Sequence, residues 1–336
     1  MAPGRRSKLA VVQRLANRLL RPLDLGIYRP SVYDALLLGE TSHAPVRLPH
    51  GAREALMNDN PRLTELRRRY RGHPAAQASS WSDAQLLGKI EMAYFRGDSQ
   101  YLFQARGTEG AAYALSSLYL RQHDPLGLLE RFDEDAAFGA LTHVVDGKVV
   151  SRDLLDSALE INYLASKLGG DRLAKARVLD VGAGYGRLGH RLGQWSGDIQ
   201  YLAADAIPLS TFLCEYYLGY RQTPGARVIP LDEVEAALRS GGIDVAINVH
   251  SFAEAPRDSV VWWLERIAAA GVPYLLIVHG SEELFTEERS LTRGHYDDTL
   301  RGLGYEREAL DPKYAHSETV QRFGVYPAWY HWFARR

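Results

Sequence analysis

The segment Val178-Leu-Asp-Val-Gly-Ala-Gly-Tyr-Gly-Arg-Leu-Gly189 carries the densest chemistry in the chain, a β-branched run leading into glycines and then into a helical pattern. Glycine lets a backbone turn sharply and come close to a ligand at the carboxyl edge of a sheet. Two ligands fit such a loop. Gly184-x-Gly186-x-x-Gly189 has the spacing of a dinucleotide fingerprint, which holds a pyrophosphate. Asp180-x-Gly182-x-Gly184-x-Gly186 instead sets a carboxylate at the strand tip, which opposes a pyrophosphate and suits a ligand with a cationic amino group. Asp205 ends the next expected strand, where its two oxygens suit both hydroxyls of a ribose or, equally, a helix N-cap. Leu231 and Asp232 follow the third strand, where an adenine edge would be read, although Asp232 also suits the cap of the next helix.

His250 and Glu254 follow the fourth expected strand and His279 the fifth, so all three converge on the carboxyl end of the sheet. A neutral imidazole, with a pKa near ~6.5, accepts a proton at physiological pH. His250 is therefore the expected general base and His279 the reserve, with Glu254 orienting the imidazole or holding a hydroxyl. Each histidine also has a plain reading as a hydrogen-bonded structural side chain. Asn248, His250 and His279 are a poor ligand set for magnesium, which prefers oxygen, so a metal-free mechanism is expected.

The elements that must position these residues follow from the period of the apolar pattern. Strands are expected at Arg177–Val181, Ile199–Asp205, Arg227–Pro230, Ile243–Val249 and Tyr274–Val278, with helices at Arg187–Trp195, Leu209–Tyr220, Asp232–Arg239 and Arg257–Ala270 between them. That alternation predicts a parallel α/β sheet. A helix near Leu291–Leu303 and two last runs, Tyr305–Leu310 and Trp329–Phe333, complete it; the runs show no helical stretch between them and are paired as an antiparallel edge hairpin, making seven strands. Residues 1–170 read as mostly helical, at Asp83–Phe95, Gly110–Arg121 and Ser151–Leu168, with turns at Asn60-Pro61 and Gly72-His73-Pro74 and a boundary at Gly169-Gly170. The expected organisation is a helical lid and substrate region, 1–170, ahead of a sheet domain, 171–336.

With the tip acid and the strand, loop and helix in place, the Asp180–Gly186 motif resembles that of class I S-adenosylmethionine-dependent methyltransferases. Two longer strings, Ser151-Arg-Asp-Leu-Leu-Asp-Ser157 and Asn248-Val-His-Ser-Phe-Ala-Glu254, are similar to the sugar O-methyltransferase family related to the deoxysugar methyltransferase of nanchangmycin biosynthesis. The resemblance runs from about Tyr94 to the end. It implies a Rossmann-like seven-stranded sheet and transfer of a methyl group from S-adenosylmethionine to a hydroxyl of a sugar or glycoside. Asp180, Gly182, Gly184, Gly186, Asp205, Leu231, Asp232 and Asn248 are then the expected cofactor contacts. Tyr101, Gln104 and Arg106, where polar groups interleave with aromatics, are expected with Arg152 to clamp the methionine end or the acceptor, while Arg152 and Asp153 also suit a helix cap and a mutual pair.

Composition narrows the alternatives. The 336 residues carry 40 Lys+Arg against 41 Asp+Glu and are 46% hydrophobic, which excludes a disordered or strongly polycationic chain. One cysteine, Cys214, excludes an internal disulfide and a zinc site of paired thiolates, and fits a reducing, cytoplasmic setting. Residues 1–30 hold seven basic side chains against Asp24 alone, and Leu9, Val12, Ala16, Leu19 and Leu20 form one apolar helix face. That helix docks on its own protein or touches a membrane surface weakly; no secretory signal is read there. The Arg67-Arg-Arg-Tyr-Arg71 run is expected as a solvated helix face, with no nucleic-acid partner. The aromatics Trp81, Tyr94, Phe95, Tyr101, Phe103, Tyr113 and Tyr119 are expected mostly in a core. A nicotinamide-dependent oxidoreductase and a non-catalytic S-adenosylmethionine-binding protein are the competing readings.

Overall fold

In the computed structural model, which describes residues 47–76, 91–97, 110–287 and 293–336, the apolar runs expected as parallel strands are buried on both faces. Val178, Leu179, Val245, Ile247, Leu275 and Ile277 expose no surface, as a parallel sheet covered on both sides requires. In chain order the elements used below are α1 (Pro61–Tyr70), α2 (Gly110–Gln122), β1 (His143–Val145), β2 (Lys148–Val150), α3 (Arg152–Leu168), β3 (Arg177–Val181), α4 (Arg187–Trp195), β4 (Gln200–Ala204), α5 (Pro208–Tyr220) and β5 (Ala226–Ile229). They continue with α6 (Val234–Arg239), β6 (Val245–Val249), α7 (Arg257–Ala269), β7 (Tyr274–His279), β8 (Phe285–Glu287), β9 (Arg293–His295), α8 (Asp297–Gly302), β10 (Tyr305–Pro312), α9 (Glu318–Phe323) and β11 (Trp329–Arg335).

The seven-stranded sheet has the order β10-β11-β7-β6-β3-β4-β5. Strands β5, β4, β3, β6 and β7 run parallel, and β11 is antiparallel to both β7 and β10. The chain steps outward from β3 through β4 to β5, then returns to lay β6 on the other side of β3. That reversal opens a crevice between the carboxyl ends of β3 and β6, where open α/β sheets bind ligands. The α/β class and the mostly parallel sheet with its antiparallel edge agree with the sequence reading. No helix among the described residues is long and apolar enough to cross a membrane.

Helix α3 ties the chain before the sheet to the loop after β3. Ser151 caps it by accepting from the Leu154 N–H, and Gly169 ends it with φ 84°. Its residues Arg152, Asp153, Asp156, Ser157 and Glu160 recur at three- and four-residue steps, and all are buried. One hydrophobic core runs from Ala52 to Phe333, on both sides of residue 170.

Several local expectations are corrected. Asn60-Pro61 is the start of α1, with Asn60 as cap and Pro61 in the first turn, where a missing N–H costs nothing. The mostly helical region also holds the β1–β2 hairpin, closed by Asp146 and Gly147, both at positive φ. A helix, α9, does lie between the last two strands. Of the helix expected near 291–303, Arg293–His295 is instead a strand paired with β8, and only α8 is helical. Met92–Tyr94 forms a single 3-10 turn in place of the end of a longer helix. Phe95, Tyr113 and Tyr119 are core, as expected. The basic helix over Leu9–Leu20, the remainder of Asp83–Phe95, Trp81 and Phe103 lie outside the described residues.

Candidate active site

At the β3/β6 crevice a cavity of about 200 Å³ is lined by Asp180, Gly182, Gly184, Asp205 and Ser210 and by Arg152, His250, Glu254 and Tyr326, among others. The loop that forms it is built by exclusion. Gly182 sits at φ 75°, and a Cβ there would lie 1.9 Å from the Ser251 hydroxyl, so only glycine lets the turn after β6 close over it. That turn is braced by Asn248, which donates to the Val181 carbonyl (2.7 Å) and to Ser251 Oγ while accepting from the Phe252 N–H (3.1 Å). A Cβ at Gly189 would lie 2.2 Å from the Tyr201 ring, so the glycine lets α4 lie flat on β4. The Tyr201 hydroxyl in turn donates to Asp180 Oδ2.

Four of the loop's N–H groups are already used. Those of Gly182 and Ala183 go to the Ala204 carbonyl (2.8 and 3.2 Å), that of Gly186 to the Ala183 carbonyl (2.9 Å), and that of Gly184 to Asp205 Oδ2 (3.0 Å). The cavity offers two buried carboxyl groups. Burial pushes the Asp180 carboxyl up to about 7, against the Tyr201 hydroxyl and Arg187 pulling it down. Burial likewise pushes Asp205 up to about 6, despite hydrogen bonds from Ile207, Gly184 and Ser210. Burial thus disfavours the charged form of both acids, and a cationic ligand group beside them would favour it.

The other lining residues form a connected set. His250 stands at φ 64°, starts the turn Ser251–Glu254, and donates its N–H to the Val278 carbonyl at 2.9 Å. Burial, then the nearby Arg152, hold its imidazole well below its ordinary pKa, so it is neutral. Its ring lies edge to face with Tyr326, centroids 4.8 Å apart, and the Arg152 guanidinium lies 3.7 Å from the centre of the same tyrosine ring. Arg152 Nε donates to Asp156 Oδ2 (3.0 Å), while Asp153 bonds to Arg96 and Arg191; the expected pair between Arg152 and Asp153 is absent.

Gly186 and Asn248, expected as cofactor contacts, do not line the cavity, and other expected residues stand further away. His279 is buried, donating from Nε2 to the Phe285 carbonyl (3.1 Å) and accepting the Ser281 N–H at Nδ1 (3.0 Å); it does not line the cavity. Leu231 is core, its N–H bonded to the Tyr70 hydroxyl, and Asp232 is gripped by Arg69, which also reaches Glu233. Neither borders the cavity, and Asp232 makes no cap bond to α6. Arg69 is therefore an ion-paired member of the face expected to be solvated. Tyr101, Gln104 and Arg106 lie outside the described residues.

Sequence reasoning passed over Arg187 and Tyr326. Arg187, which begins α4, lines the cavity and makes a two-point ion pair with Glu160, 2.9 and 3.0 Å, plus a bond to Ser157 Oγ. An arginine following Gly186 was a usable signal. Tyr326 left none, being in a connection between edge strands.

Among solved structures the chain is similar to a SAM dependent methyltransferase from Aquifex aeolicus, at 16% identity over 66% of this chain and 98% of that one, TM-score 0.39. It is similar to magnesium protoporphyrin IX methyltransferase from Synechocystis PCC 6803 with bound SAM, at 15% identity over 66% and 97%, TM-score 0.38. A SAM-dependent methyltransferase of Leishmania major aligns at 15% identity over 53% and 71%, TM-score 0.40. No family model and no curated protein matches the chain.

Proposed function

We propose that the chain is an S-adenosylmethionine-dependent O-methyltransferase that methylates a hydroxyl of a sugar or glycoside. The observation that carries the cofactor is the pair of buried carboxylates, Asp180 at the end of β3 and Asp205 after β4, that line one cavity beside the glycine loop. This favours a ligand with a cationic amino-acid end and a ribose over a dinucleotide. The acceptor class is supported by the two strings similar to sugar O-methyltransferases. Each delivers residues to this cavity, Arg152 from the first and His250 and Glu254 from the second.

When bound, S-adenosylmethionine supplies an electrophilic methyl group on a sulfonium. The chain's part is to align a hydroxyl with that carbon and take its proton. Asp180, braced by Tyr201, and Asp205, braced by the loop, hold the cationic and ribose ends. His250, kept neutral by burial, accepts the hydroxyl proton. The same burial makes the imidazolium costly, so Glu254, exposed and four residues on, is the proton's route outward.

The test is a panel of free, nucleotide-linked and glycosidic sugars incubated with isotope-labelled S-adenosylmethionine, reading product mass. A gain of one labelled methyl on a sugar oxygen supports the proposal; labelled product only with non-carbohydrate acceptors refutes the sugar class.

A further inference from the structure

Tyr326 lines the cavity, is 36% exposed, and comes from the connection between α9 and β11. The chain goes to some cost to keep it there. Its backbone stands at φ 45°, a left-handed conformation that a non-glycine residue adopts only when its surroundings enforce it. Lys313, buried, donates from Nζ to the carbonyls of Val325 (2.9 Å) and Tyr326 (3.0 Å) and to Asp156 Oδ1 (2.6 Å). The Val325 carbonyl also accepts from the Tyr314 hydroxyl (2.7 Å), and its N–H goes to Ser116 Oγ (2.8 Å). A buried lysine and a strained residue thus hold a partly open aromatic ring beside the proposed base.

We propose that Tyr326, held in place by Lys313, is the specificity-determining contact for the acceptor, and that the acceptor it selects is a pyranose ring. This rests on the methyltransferase reading and deepens it. A pyranose combines apolar C–H surface with a rim of hydroxyls. The Tyr326 ring already carries the Arg152 guanidinium 3.7 Å from its centre and meets His250; the part of it that stays exposed offers apolar surface to C–H groups, and His250 and Glu254 at the same cavity offer partners for hydroxyls. An acyclic polyol has the hydroxyls without the rigid C–H surface and gains little from the ring.

The test is saturation-transfer NMR on the full chain saturated with S-adenosylhomocysteine, using methyl β-D-glucopyranoside and methyl α-L-rhamnopyranoside as probes and glycerol as the acyclic control. Calorimetry with S-adenosylhomocysteine runs alongside on every variant. Wild type and Tyr326→Phe are expected to transfer saturation to the ring C–H protons of at least one glycoside and not to glycerol. Tyr326→Ala is expected to lose about tenfold of that glycoside's affinity, the scale of truncating a central tyrosine contact, with S-adenosylhomocysteine affinity unchanged. Equal glycoside signals in wild type and Tyr326→Ala, signals no stronger than glycerol's, or none from either glycoside would overturn the inference alone while S-adenosylhomocysteine still binds. If wild type fails to bind S-adenosylhomocysteine, the methyltransferase reading falls first and takes this one with it.

Discussion

Asp180 and Asp205 are two buried carboxylates lining one cavity, and their burial generates the first predictions. Because burial raises both pKa values in the free protein, a cationic ligand binds best once they are ionised. Affinity for S-adenosylhomocysteine should therefore be full above about pH 7 and fall as pH drops through about 7 and 6, with protons released on binding inside that window. Calorimetry in buffers of different ionisation enthalpy reads the proton count, and a pH-independent affinity between 5 and 8 contradicts the assignment. Asp205→Ala should cost roughly 1.5–3 kcal/mol of that binding, the scale of hydrogen bonds to a charged group. His250→Ala should lower kcat by roughly 10²–10⁴ while leaving S-adenosylhomocysteine affinity alone, because proton removal matters in the transition state and not in donor binding. Since the imidazole stays neutral well below 6.5, kcat should show no loss near that pH. His279→Ala should not share the kinetic effect, since both of its ring nitrogens serve backbone groups outside the cavity.

At the scale of elements, the critical contact is α3 against the loop and α4. Asp153 is fully buried between Arg96 and Arg191 and accepts from the Tyr185 hydroxyl within the glycine loop. Although burial pushes its carboxyl up, Arg191 and Arg96 outweigh this and hold it far below the usual range. Asp153→Ala strands two buried guanidiniums with Glu134 as their remaining shared carboxylate, so a loss of about 3–5 kcal/mol is expected in urea unfolding, and a change under 1 kcal/mol would show the network to be dispensable. Much of this layout is legible in the sequence. The central strands β3, β6 and β7 show because they are short, mostly apolar runs, and α3 because its Ser151 cap and apolar period are regular. The Asp180-to-Gly186 loop shows because its glycines occupy positions that a Cβ would disrupt. The partners of Asp153 are not legible, since Arg96 and Arg191 lie 57 and 38 residues away and only folding brings them together. Nor was the outward turn of Asp232, decided by Arg69 at a separation of 163 residues. The hairpin at Asp146-Gly147 was legible and passed over, the region's helical period drawing attention from a strong two-residue turn signal.

For the molecule as a whole, the sheet supplies the crevice, and its wall is completed by Arg152 from the helix before the sheet and by Tyr326 from the connection between the two edge strands β10 and β11. The proposed division at residue 170 thus marks a change of architecture across one continuous core. A fragment of residues 171–336 would expose Arg187 and Arg191 without Glu160 and Asp153, and is expected to lack a cooperative melt by circular dichroism; a sharp transition would show that the sheet half folds alone. Removing residues 1–25, which precede every motif used above, should leave melting and ligand binding intact. The proposed function makes this crevice a site for a cationic nucleoside ligand and not for a dinucleotide. Calorimetric titration of the full chain at pH 7.5 with S-adenosylhomocysteine and, separately, with NAD tests it most directly. Saturable binding of S-adenosylhomocysteine and none, or far weaker, of NAD is expected; tighter binding of NAD, or no heat with S-adenosylhomocysteine, would overturn the proposed cofactor.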